Sequence, residues 1–135
     1  MKLTALLFAA VAASAAPAVA APVPGQPAPA FRGIDVNGKP VSLADFRGKT
    51  VVLYFYPRDD TPTCRAEACG FRDAYEEFVK AGAVVIGCNE QSLERHREFA
   101  AKRNLPFLLI SDADGSRRRA FGVPKTWGIF PGRVT

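Results

Sequence analysis

The chain has 135 residues, of which 48% are hydrophobic and 23% charged. That is a single domain's worth of chain with enough apolar side chain to bury a core, which argues against disorder. The net charge is a modest +5, and its one basic cluster, Arg117-Arg118-Arg119, reads as a short solvated face, so no nucleic-acid partner is expected.

Met1-Lys2 is a minimal positive start, Leu3 to Ala16 is apolar, and Ala18-Val19-Ala20 fits a small-x-small cleavage rule. The pattern predicts a secretory signal peptide over residues 1–20 and an exported protein, periplasmic or secreted. The apolar run is short for a membrane anchor, since a span takes about 20 residues. Export implies an oxidising compartment, where thiols pair. The three cysteines are Cys64, Cys69 and Cys88, so at least one lacks an internal partner.

Residues 21–30 form a Pro-rich lead-in, extended and poor in regular structure. The domain is expected over 31–135. Phe31 to Val36, the turn Asn37-Gly38, and Lys39 to Ser42 read as a β-hairpin. Ser42 can cap a short helical turn through Phe46, closed by Gly48. Val51 to Tyr56 is a continuous apolar run without polar alternation, the pattern of a central strand covered on both faces. Ala83 to Cys88 is a second such strand, and Phe107 to Ile110 a third.

Helices separate the strands. One is predicted from Pro62 to Ala81, stopped by Gly82, with Cys64, Ala68, Phe71, Tyr75 and Phe78 in a single stripe. The next runs from an N-cap at Ser92 to Arg103 and ends at Asn104 and Pro106. Strands alternating with helices define an α/β domain with a parallel sheet. Arg133-Val134-Thr135 looks like the opening of a further strand.

Within this frame the run Asp59-Asp60-Thr61-Pro62-Thr63-Cys64-Arg65-Ala66-Glu67-Ala68-Cys69 carries the chemistry. Thr61 suits an N-cap and Pro62 the first helical position. Cys64 then falls where backbone N–H groups have no partner inside the helix, at the positive end of the helix dipole. A thiolate is stabilised there. The site lies at the carboxyl end of a strand, where open α/β sheets place their ligands. Five residues along a helix separate two Cα atoms by about 8.7 Å, beyond the roughly 7 Å that a disulfide tolerates. Cys64 and Cys69 can therefore join only if the first turns unwind. A cycle of Cys64 oxidation to sulfenic acid, attack by Cys69 and local unwinding fits that geometry better than a static structural disulfide.

The motif Pro57-x-x-x-Thr61-x-x-Cys64 resembles the active-site motif of peroxiredoxins. The Cys64/Cys69 spacing and "EACGFRDAYEEF" resemble the bacterioferritin-comigratory, or PrxQ-type, branch, and the likeness continues through "LPFLLISDADG", "AFGVPKTWGIF" and "PGRVT". The resemblance implies a thioredoxin-like fold with a mostly parallel sheet and an N-terminal hairpin, here without the family's last strand and helix. It implies a thiol peroxidase for hydrogen peroxide and organic hydroperoxides, without cofactor or metal, recycled by a thioredoxin-like dithiol and acting as a monomer or weak dimer. Cys64 would be the peroxidatic and Cys69 the resolving cysteine. Thr61 would hydrogen-bond the peroxide, Pro62 would shield the thiolate, and Arg133 would be the catalytic arginine. Glu67 would orient that arginine, with Pro57 in support. Thr63 and Arg65 depart from the Gly and Thr of many relatives. A thiol-disulfide oxidoreductase is the competing reading, opposed by the lack of Cys-x-x-Cys, and a non-catalytic fragment is a third.

Other residues read as scaffold. Cys88 is a small buried hydrophobe at a strand end. His96 is a packing histidine on the face of Leu93, Phe99 and Ala100. Asp112-x-Asp114-Gly115 is a turn, since it lacks the later ligands of a calcium loop. Trp127, Ile129 and Phe130 border either the pocket or the core.

Overall fold

The computed structural model describes residues 21–126 and 130–135, so the predicted signal peptide over 1–20 lies outside the described residues. Strands β1 (Arg32–Ile34) and β2 (Pro40–Ser42) pair antiparallel, Gly33 opposite Val41. Their turn is built by Asp35, whose carboxylate accepts the N–H groups of Asn37 (2.8 Å) and Lys39 (2.9 Å). Gly38 takes φ +79°, the left-handed region open to glycine. A 3-10 turn, Leu43–Phe46, follows, and Asp45 closes it by accepting the Ser42 N–H at 2.7 Å.

The main sheet consists of β3 (Thr50–Phe55), β4 (Ala83–Asn89) and β5 (Leu108–Ser111), all parallel, in the order β3-β4-β5. Side chains alternate between two apolar layers. Tyr54, Tyr56, Val85 and Leu109 pack with Cys64, Ala68, Phe99 and Phe107 on one face. Phe55, Ile86, Cys88 and Ile110 pack with Phe31, Val41 and Val123 on the other. Both faces are covered, and this is why the Val51–Tyr56 run lacks polar alternation. Among the described residues β4 is paired on both sides, while β3 pairs with β4 on one side and meets Val134 in an isolated antiparallel bridge on the other. At Gly87 a Cβ would sit 2.8 Å from the Tyr54 hydroxyl, so only glycine lets that ring cross β4.

The crossover from β3 to β4 is two helices, α1 (Pro62–Asp73) and α2 (Tyr75–Lys80), where the stripe predicted one. The break is a single residue, Ala74, at φ −94° and ψ 6°, whose N–H bonds both Arg72 and Gly70 carbonyls. The tightened turn leaves the rings of Phe71 and Tyr75 against Phe107, at centroid distances of 6.3 and 6.4 Å. Burial of that stripe thus overrides the helix preference of alanine. Helix α3 (Leu93–Arg103) matches its expected bounds. Ser92 caps it by accepting the Arg95 N–H, and Asn104 ends it in the left-handed region at φ 51°.

Past β5 lie α4 (Ser116–Ala120) and the short pair β6 (Lys125–Thr126) and β7 (Phe130–Pro131). Of the basic run expected to be a solvated face, Arg119 is exposed, but Arg117 and Arg118 are built into the fold. Arg118 is buried and ion-paired with Glu90, while Arg117 donates to the Arg32 carbonyl and to Asp112. Asp112 in turn accepts the N–H groups of Arg117 and Arg118 at 3.0 and 2.9 Å. The Asp112–Gly115 turn is therefore the start of α4, and the run is held because its partners arrive from distant segments. No described helix is long and apolar enough to cross a membrane.

Candidate active site

The turn after β3 delivers the chain to α1 at the carboxyl end of the sheet. Thr61 has extended backbone (φ −72°, ψ 154°) and Pro62 opens the helix. The first helical bond runs from the Arg65 N–H to the Thr61 carbonyl at 2.8 Å. The amides of Thr63 and Cys64 precede it and carry the dipole's positive end. The Thr61 hydroxyl donates to the Arg58 carbonyl at 3.4 Å, rather than closing the cap.

Cys64 is buried, packed among Tyr54, Tyr56 and Ala68. Its sulfur lies 3.1 Å from Nη2 of Arg133. The other arm of the guanidinium, Nη1, donates to Glu67 one turn further along α1. Arg133 reaches this position because Val134 forms a two-hydrogen-bond bridge with Phe55, at 2.7 and 3.2 Å, on the free edge of β3. The sequence thus brings together Cys64, Glu67 and Arg133 from positions 69 residues apart at the extremes. Burial pushes the Glu67 carboxyl up, and Arg133 pulls it partly back.

Cys69 is half-buried on the same helix, and all three cysteines are free thiols. The intact helix and the unjoined sulfurs agree with the spacing argument. Burial, aided by Asp112, pushes the Cys88 thiol up to about 12, as expected of a packing residue. Of Trp127, Ile129 and Phe130, the first two lie outside the described residues, as does the Phe130 side chain.

A second polar centre sits behind the turn, and sequence reasoning did not find it. Asp59 accepts from the Tyr56 hydroxyl at 2.7 Å and from Asn89 at 2.9 Å, and meets His96 Nδ1 at 2.7 Å. His96 is fully buried, beyond the partly buried packing role expected of it, and it has a carboxylate partner. The signal was a lone histidine on an apolar helix face, which needs an acid to satisfy it. Only the fold reveals that the acid lies 37 residues away. Asp60 pairs with Lys102 and Arg103 at 2.5 and 2.6 Å.

The parallel sheet with a buried thiol at the helix start, facing a guanidinium, belongs to a thioredoxin-like α/β fold. Comparison with known proteins narrows that class. The AhpC/TSA family matches residues 24–135, and the chain belongs to that family of peroxiredoxins. It is 51% identical to the chloroplastic peroxiredoxin Q of Sedum lineare over 112 residues, covering 82% of this chain and 60% of that protein. With peroxiredoxin Q of Arabidopsis thaliana it shares 53% identity, covering 82% and 52%. Among solved structures, the peroxidoxin BcpB of Mycobacterium tuberculosis superposes with a TM-score of 0.73 at 33% identity, covering 81% of this chain and 72% of that one. Peroxiredoxin Q of Xanthomonas campestris gives 0.69 at 34% identity, covering 77% and 68%. The chain spans between about half and three-fifths of the length of these curated relatives. They are chloroplastic proteins, and this overturns the exported location expected from residues 1–20.

Proposed function

We propose that this chain is a thiol-dependent peroxidase whose reaction begins at Cys64. The observation that carries the reading is the 3.1 Å contact between Arg133 Nη2 and the Cys64 sulfur at the first turn of α1. A fixed guanidinium there stabilises the thiolate and the charge that develops on the departing oxygen. In the reaction, the Cys64 thiolate attacks one oxygen of a hydroperoxide and the O–O bond breaks. The electron pair leaves on the other oxygen, which takes a proton to give water or an alcohol. Cys64 is left as a sulfenic acid. Thr61 holds the peroxide and Pro62 screens the sulfur from water, while Glu67 and Pro57 orient Arg133 and the turn.

Cys69 resolves the sulfenic acid. Its sulfur attacks Cys64, water leaves, and the disulfide forms as the helix unwinds. A thioredoxin-like dithiol then reopens the bond by exchange. The substrate class is hydrogen peroxide and organic hydroperoxides. The Xanthomonas campestris bacterioferritin comigratory protein has alkyl peroxide reduction activity, and its kinship supports the organic half of that range.

The test is peroxide treatment followed by intact mass and a sulfenic-acid probe on the parent chain, Cys64→Ser and Cys69→Ser. Cys69→Ser should accumulate sulfenic acid at Cys64, and Cys64→Ser should stay inert. Equal peroxide consumption by Cys64→Ser and the parent chain would end the reading.

A further inference from the structure

We propose that Asp59 is a positioning residue for the Cys64 chemistry, acting through its buried pairing with His96; the proposal rests on the peroxidase reading. Asp59 stands in the turn between β3 and α1. Its side chain is 6% exposed and that of His96 is fully covered. The groups that hold it come from scaffold elements: Tyr56 at the end of β3, Asn89 at the end of β4, and His96 in α3. Its own N–H donates to Gln91 Oε1 at 2.5 Å, and the Gln91 N–H donates to Asn89 Oδ1 at 2.7 Å. One carboxylate thus ties the turn to the ends of β3 and β4 and to α3.

The adjacent residue repeats the attachment at the surface. Asp60 sits at φ 56°, a left-handed conformation that costs a non-glycine residue free energy. Lys102 and Arg103 hold it there, both from the end of α3. The turn is therefore clamped twice to the same helix.

Stability does not account for the buried half of the clamp. His96 meets Asp59 through Nδ1, and its buried Nε2 has no hydrogen-bond partner among the described residues. Burying charges in this way is commonly no better for stability than an apolar replacement of the same volume. What the network does supply is position. Arg133 is placed by the Phe55–Val134 bridge, and Cys64 is placed by the turn that Asp59 holds. The two arms meet at 3.1 Å. A displacement of about 1 Å in the turn takes the sulfur out of reach of the guanidinium and can cost about a hundredfold in rate.

The experiment uses the full chain in a Cys69→Ser background, where sulfenic acid at Cys64 accumulates. Its rate of formation is measured at several peroxide concentrations, with a thermal melt in parallel. Asp59→Asn should slow the reaction by about 10- to 100-fold at temperatures where the variant is folded. His96→Asn keeps an N–H close to the place of Nδ1 and should stay within about threefold of the parent, whereas His96→Leu should fall with Asp59→Asn. That rescue is the readout a purely structural role would not give. A parent that forms no sulfenic acid removes the peroxidase reading and this proposal with it. A reactive parent with an equally reactive, folded Asp59→Asn overturns this proposal alone. Should Asp59→Asn not fold, equal rates for His96→Asn and His96→Leu overturn it instead.

Discussion

Val134 and Phe55 exchange backbone hydrogen bonds in both directions, at 2.7 and 3.2 Å, and this pairing brings the neighbouring Arg133 to the Cys64 sulfur. The Arg133 guanidinium is thus positioned by main chain as much as by its own side chain. Arg133→Lys removes the planar fork that serves Glu67 and Cys64 together, and sulfenic-acid formation should fall by about 100- to 1,000-fold. Val134→Pro leaves Arg133 in place but deletes the N–H that bonds the Phe55 carbonyl. Its rate should fall toward that of Arg133→Lys. An unaltered rate in Val134→Pro would show that the bridge does not position the arginine.

Glu67 shares the same guanidinium, and its ionisation is costly where it sits. Burial raises its carboxyl, and Arg133 offsets only part of this. For a raised acid, stability is fully present below the unfolded value and is lost as pH climbs through the folded one. Glu67→Gln should therefore keep its stability from acid to neutral pH where the parent chain loses some. Its reaction with peroxide should nonetheless slow several-fold, because a neutral amide oxygen holds the Arg133 guanidinium less firmly than the carboxylate does. Denaturant melts at pH 4 and pH 7, beside rate measurements, check both halves. A variant that gains stability at neutral pH without losing rate would show that Glu67 does not orient Arg133.

The strands and α3 were legible because their signals are local: apolar runs, a serine cap at Ser92, and a left-handed stop at Asn104. That Cys64 and Cys69 lie unjoined on one intact helix was legible from helix geometry alone. Other features depended on partners far along the chain. Arg117 and Arg118 look solvated until the Arg32 carbonyl and Glu90 are brought beside them. Asp59 resembled an ordinary loop acid, since nothing in its neighbourhood names His96.

Gly70 follows Cys69 in the interior of α1, at an ordinary helical conformation, and a Cβ there would meet nothing within 4 Å. Neither space nor backbone angle calls for glycine in the reduced fold. Its effect is to weaken the helix, by roughly 0.5–1 kcal/mol relative to alanine, at the segment that the proposed Cys64–Cys69 closure would unwind. Gly70→Ala should stabilise the reduced chain by about that amount and disfavour Cys64–Cys69 closure by up to about fivefold. Slower closure leaves the sulfenic acid open to a second peroxide, so sulfinic acid should appear at lower peroxide doses. Intact mass across a peroxide titration reads the shift. A variant that is stabilised but closes its disulfide as fast as the parent would place the rate-limiting motion outside this helix.

Cys88 supplies a test of the fold that is independent of the chemistry. Its thiol is pushed from an ordinary 9.0 to about 12, first by burial and then by Asp112. Below pH 9 both folded and unfolded chains keep this proton, so it contributes no pH dependence. Above pH 9 the unfolded chain releases it while the native chain holds it, and stability falls as pH rises. The window below pH 10 isolates this group, because the raised tyrosines Tyr54 and Tyr56 begin to contribute only above their ordinary value of 10.0. Between pH 8 and pH 10 the parent chain should lose about 1.4 kcal/mol more stability than Cys88→Ala, as one proton's linkage requires. Urea unfolding in the presence of reductant measures the difference, and Cys64 and Cys69 cancel because both chains carry them. Parallel pH dependence in the two chains would mean that Cys88 is open to water, and that the layer formed by Phe55, Ile86 and Ile110 does not seal over it.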